Sequence, residues 1–128
     1  MTTQQVDPES FLPLPPASFH ILMVLATGES HGYRIMQKIE ADTDGSFRIG
    51  PGTLYTSIKR MLKAGWIEEV DQRSDPELND ERRRYYRLTG LGRRVAQAEA
   101  LRLAAAVSLA RDSRLLSSPF MRPAGEGG

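Results

Sequence analysis

Residues 31–94 run HGYRIM, then GPGTLYTSIKRMLKAGWIEE, then RRRYYRLTGLGRR, and few folds accommodate that order of signals. Ser30 is a good N-cap, and Ile35, Met36 and Ile39 form an inner stripe, which predicts a helix over about 31–41. A polar turn at 42–45 follows, and Phe47 and Ile49 lead into a second helix. Pro51 suits the first position of that helix, with Gly50 as its cap. Leu54, Ile58, Met61 and Leu62 recur at helical spacing and are expected to face the core. Thr53, Thr56, Ser57, Lys59, Arg60 and Lys63 are left on or near the other faces, and Gly65 ends the helix. Residues 66–71 read as a strand. In 83–88, Tyr86 and Leu88 alternate with Tyr85 and Arg87. The stretch between these strands, 73–81, is polar except for Pro76 and Leu78 and holds the turn-forming pair Asn79-Asp80. Two helices about a short turn, then a β-hairpin, make a helix-turn-helix with a wing. Such a unit serves mainly to place its second helix in a DNA groove.

The flanks complete the division of the chain. Residues 1–15 carry Pro8, Pro13 and Pro15 with little periodicity and read as a flexible arm. Residues 16–89 form the winged domain. Its first helix, opened by Pro16 and closed by Gly28, is apolar all round through Phe19, Ile21, Leu22, Met23, Val24 and Leu25. A helix of that kind is buried on more than one side. Thr89 caps a long helix over 90–116, rich in Ala and Leu, and residues 117–128, with two Pro and three Gly, read as a disordered tail. The fold class is therefore mainly α with a small β-hairpin: a winged helix-turn-helix plus a long C-terminal dimerisation helix. So small a domain leaves no cover for Leu91, Val95, Leu103, Val107 and Leu109 together with the first helix, so a homodimer is expected.

Net charge is only +1, which on its own argues against a nucleic-acid binder. Its distribution says more. Residues 1–47 hold two basic and six acidic side chains, and residues 48–94 hold eleven basic and seven acidic. Arg82, Arg83, Arg84, Arg87, Arg93 and Arg94 come with no acid among them. Clustering of this kind makes an electrostatic footprint or a solvated face. There is no cysteine, which excludes disulfides and thiolate metal sites and fits a cytoplasmic location. The longest apolar run, 17–27, is too short to span a bilayer, and no basic residue precedes an early apolar stretch, so neither membrane association nor a secretory signal is expected.

The segments HGYRIM, GTLYTSIKRMLKAGWI and RRYYRLTGLGRR, in that order and spacing, resemble the PadR-like transcriptional regulators. The resemblance covers about residues 17–95. It implies a winged helix-turn-helix that dimerises through its C-terminal helix, often with the first helix. Members usually repress transcription, and some release DNA on binding a small molecule. Double-stranded operator DNA is then the expected partner. The wing departs from the family's Gly-Arg-Pro-Arg-like tip: here it reads Asn79-Asp80-Glu81-Arg82-Arg83. Asp80 and Glu81 repel phosphates, so wing contacts fall to Arg82, Arg83 and Arg84.

The residues support that reading locally. Gly52 and Thr53 occupy the first turn of the recognition helix, where free N–H groups and the positive dipole end favour a phosphate or a base edge. Thr53, Tyr55 and Thr56 are placed nearest DNA, with Lys59 and Arg60 following. Tyr55 has a second reading as a core residue with a bonded hydroxyl. Gly32, costly in a helix, marks a close approach, either of the helix opened by Pro51 or of a phosphate. Trp66, the only tryptophan, reads as core. Met23, Leu101 and Ala105 are candidate liners of an effector site between subunits. The absence of any aromatic from Leu88 to Pro119 suits aliphatic or amphipathic ligands over flat polycycles. No cofactor or metal is expected. His20 and His31 lack cysteine or triad partners, and no phosphate loop or carboxylate pair stands out, which argues against an enzyme. The rival reading is a winged helix used for protein–protein interaction without DNA binding.

Overall fold

The computed structural model describes residues 7–70 and 84–117. A 3-10 turn at Pro8–Phe11 precedes α1 (Pro16–Ala26), β1 (Ser30–His31), α2 (Gly32–Asp42), α3 (Pro51–Ala64), β2 (Ile67–Val70), β3 (Tyr85–Leu88) and α4 (Gly90–Asp112). The result is mainly helical, a winged helix-turn-helix with a small antiparallel sheet and a long C-terminal helix. Ile21, Leu22, Ile35, Ile39, Leu54, Met61, Ile67 and Val95 form the fully buried centre, drawn from all four helices and β2.

Local chemistry explains where α3 starts and stops. Pro51 opens α3 behind Gly50. Gly65 closes it in the left-handed region at φ 83°, its N–H donating to Leu62 O and that of Trp66 to Met61 O. The next junction is tied to this one through Thr89. Its hydroxyl accepts from Gly92 N–H at 3.0 Å and donates to Gly65 O at 2.6 Å, while its own N–H donates to Trp66 O at 3.0 Å. One threonine thus caps α4 and fixes that helix against the end of α3.

Several expectations are corrected. The sheet has three strands in the order β1-β3-β2, because Ser30 and His31 pair with Tyr86 and Tyr85. Ser30 is taken up by that pairing, and the N-cap of α2 is His31, whose Nδ1 accepts from Arg34 N–H at 3.2 Å. On α3, Ser57 is buried while Leu62 is 36 % exposed. At 100° per residue, Ser57 lies about 40° from Met61 and about 60° from Leu54, within the inner face, whereas Leu62 lies about 80° from Leu54 on the other side, at its edge. The helix after Thr89 ends at Asp112 rather than 116, closed by Arg114 at φ 66° with Leu115 N–H on Ala110 O.

The segment before α1 is not a loose arm over residues 7–15. Leu14 is buried, and the Phe11 ring meets Trp66 edge-on with centroids 5.1 Å apart. Leu14 N–H donates to Glu99 Oε2 at 3.3 Å, and Arg102 grips the same carboxylate through Nε at 2.7 Å and Nη2 at 3.0 Å. The tail 117–128 lies outside the described residues apart from Ser117.

Glu99 is almost fully buried, yet the Arg102 hydrogen bonds hold its carboxyl below the ordinary value of 4.5. Burial opposes this and the Leu14 N–H adds to it. A carboxylate lowered in the folded state stabilises the protein above its unfolded pKa, and that contribution is lost as pH falls through the folded value. The thermal midpoint of the wild type should therefore drop more steeply between about pH 5 and pH 3 than that of Glu99→Gln. Parallel pH profiles by circular dichroism would refute this.

Candidate nucleic-acid interface

The α3 helix buries Leu54, Ser57, Ile58 and Met61. The opposite face carries Gly52, Thr53, Thr56, Lys59, Arg60 and Lys63, all exposed. Thr53, Thr56 and Arg60 stand in one row at i, i+3 and i+7, with Gly52, Lys59 and Lys63 alongside. The helix contains no Asp or Glu. Its positive N-terminal end and three cations therefore add without internal cancellation. Lys63 lies on this face as well, four residues from Lys59 and seven from Thr56.

Tyr55 is half-buried on the flank of α3. Its ring packs on Gly32 so closely that a Cβ there would lie 2.5 Å from the Tyr55 hydroxyl. The close approach inferred at Gly32 is thus the α2–α3 contact itself. It sets the angle between the two helices of the helix-turn-helix and holds Tyr55 beside the exposed face. The α2–α3 turn is braced from α1. His20 stacks on Phe47 with centroids 4.5 Å apart and ring planes 22° apart, and burial pushes its pKa below the usual imidazole value against the opposing charge of Asp42. The Thr43 hydroxyl accepts from Phe47 N–H at 3.1 Å and donates to Ile39 O at 2.9 Å, which closes the turn.

On the hairpin, the exposed Glu68 is compensated by Arg87 at 2.7 Å, and Glu69 lies 4.0 Å from Arg84. Surface pairs of this kind add little stability, but they remove two carboxylates from the local field. Arg82 and Arg83, the predicted wing contacts, and Asp80 and Glu81 with them, lie outside the described residues.

Within one subunit, the candidate effector residues do not share a single hollow. Met23 lines an apolar groove of about 180 Å³ between α1, β3 and α4, with Phe19, Ala26, Leu88, Ala96 and Ala100 among its walls. Leu101 borders a different hollow with Glu9, Leu12, Ala98 and Arg102. Ala105 is exposed one turn further along α4. Among the described residues no cluster of three or more His, Asp or Glu is arranged to hold a metal ion, and no helix is long and apolar enough to cross a membrane.

A helix-turn-helix flanked by a β-hairpin and followed by a long helix defines a winged-helix protein. Residues 21–98 match the profile of the transcriptional regulator PadR-like family. The chain belongs to that family, whose members are transcriptional regulators and not enzymes. Among solved structures, it is similar to a transcriptional regulator from Clostridium thermocellum, with 24 % identity, 84 % of this chain and 97 % of that one covered, and a TM-score of 0.64. A PadR family regulator from Clostridium difficile is 21 % identical over 77 % of this chain and 97 % of its own, with a TM-score of 0.62. Bacillus subtilis PadR, solved in complex with operator DNA, is 20 % identical with a TM-score of 0.57, covering 66 % of this chain and 46 % of that one. In sequence, an uncharacterized protein of Lysinibacillus sphaericus is 35 % identical over 74 residues, which are 57 % of this chain and 64 % of that protein's length.

Proposed function

We propose that the chain is a dimeric, operator-binding transcriptional repressor. The observation that carries this is the exposed face of α3: Thr53, Thr56, Lys59 and Arg60 on one side of a helix without a single carboxylate. That face is assigned to the major groove, with Gly52 at its leading end and Tyr55 at its edge. Arg82 and Arg83 are assigned to flanking phosphates. In the dimer, the two recognition helices are related by symmetry. The operator is then a pseudo-palindrome with half-sites one turn apart, about 34–36 Å. The fold of Bacillus subtilis PadR, known with operator DNA, supports the reading.

The homodimer is proposed to form through α4 and α1. Beyond Glu99, residues 100–109 of α4 are all exposed, Leu103 and Val107 among them, and Met23 of α1 is 40 % exposed. A small-molecule effector, aliphatic or amphipathic, is proposed for the Met23 groove at that interface. Leu101 and Ala105 lie away from it.

A salt titration of the wild type and two variants on operator and random duplexes tests the DNA reading. Thr56→Ala should change the relative affinity among operator variants, because a side chain that reads a base carries sequence information. Arg83→Ala should weaken all duplexes about equally and reduce the slope of log K against log salt by about 0.9 per lost phosphate contact, two per dimer. An unchanged slope would remove Arg83 from the interface. A wild type with neither operator preference nor salt dependence would leave the winged helix as a protein-binding module instead.

A further inference from the structure

Three residues of α4 are buried in the winged domain: Gly92, Val95 and Glu99, at i, i+3 and i+7. Glu99 is the last of them, and residues 100–109 are exposed among the described residues. Its side chain is only 3 % exposed, in a place where a leucine would bury as well. Replacing a buried ion pair by apolar residues is often neutral or stabilising, so burial alone gives no reason for a carboxylate here. What a carboxylate adds is direction. Oε2 takes the N–H of Leu14, a residue held by the core and followed directly by the Pro-rich entry to α1, and Arg102 closes the other side from the next turn.

We infer that Glu99 is a positioning residue for operator geometry: with Leu14 and Arg102 it forms a clasp that sets the direction in which the free half of α4 leaves the winged domain. The inference rests on the proposed dimerisation through α4. From Glu99 to Asp112 the helix extends about 20 Å at ~1.5 Å per residue. A tilt of about 10° at the clasp moves its far end by roughly 3.5 Å, close to the ~3.4 Å rise of one base pair. Because both subunits carry the same lever, a loose clasp spreads the separation of the two recognition helices by one base-pair step or more.

The chain has no cysteine, so a single label site can be introduced cleanly. Ala64, exposed at the end of α3, is replaced by cysteine and spin-labelled in the full-length protein, and inter-label distances are measured by pulsed electron paramagnetic resonance. The parent should give one narrow distribution. Glu99→Leu should stay helical and dimeric, yet broaden or shift that distribution by several ångströms, on the order of the tilt displacement above. Glu99→Gln, which keeps an acceptor for Leu14, should restore the narrow distribution. A Glu99→Leu dimer with the parent distribution would overturn the clasp and leave the dimer standing. Absence of dipolar coupling in the parent would overturn the dimer reading and the clasp with it. Should Glu99→Leu fail to fold, Arg102→Leu carries the same test. Broadening supports the clasp, and a parent-like distribution refutes it.

Discussion

Gly92→Ala is expected to destabilise the protein by about 3 kcal/mol or more. A Cβ at this position would collide with the backbone carbonyl of Trp66, the atom that also accepts the Thr89 N–H. Neither partner has slack. The carbonyl sits between the αL cap of α3 and the start of β2, and Gly92 is hydrogen-bonded to the Thr89 cap. A methyl group there pushes α4 away from the junction that holds it. Gly90→Ala is the control, since a Cβ at Gly90 meets only the Arg94 side chain at 3.6 Å. Denaturant unfolding of both variants checks the contrast, and equal stabilities would mean that the α4 approach is looser than described.

The second large effect concerns assembly. Leu103→Glu combined with Val107→Glu should weaken self-association by a hundredfold or more, on the order of what two lost interface anchors remove. These side chains are 36 % and 38 % exposed in the single subunit, and they continue along α4 the stripe begun by Ala96 and Ala100 in the groove wall. Operator affinity should fall with dimerisation, because two tethered half-site contacts become independent. Leu115→Glu, beyond the end of α4, should leave both properties near wild type. Sedimentation at micromolar concentration reads the outcome. A stable dimer in the double variant would place the interface elsewhere.

The parts of this fold that were legible in the sequence are the ones whose cause is local. Gly50-Pro51, Gly65 and Thr89 each satisfy backbone groups within a few residues, and each marks a boundary where the structure has it. The exposed row on α3 followed from helical periodicity for the same reason. What was not legible depends on distant partners. Ser30 has the chemistry of an N-cap, and only Tyr86, far along the chain, makes it a strand residue. The Pro-rich stretch before α1 has no period of its own. It is ordered by Trp66 and Glu99, neither of which announces the contact. A glutamate in an Ala-rich helix reads as solvated, and nothing adjacent to Glu99 reveals that a backbone N–H from the other end of the chain awaits it.

Trp66 is the sole indole of the chain and is 8 % exposed, and its Nε1–H has no hydrogen-bond partner among the described residues. An unbonded indole in a dry setting emits at short wavelength, and Phe11 forms one wall of that setting. The protein therefore carries an intrinsic optical gauge at the meeting point of the N-terminal segment, the end of the recognition helix and the start of α4. Undocking of residues 7–15 admits water to the ring and shifts the emission to the red while the helical content stays constant. Whatever loosens the root of α4 becomes visible in solution without a label.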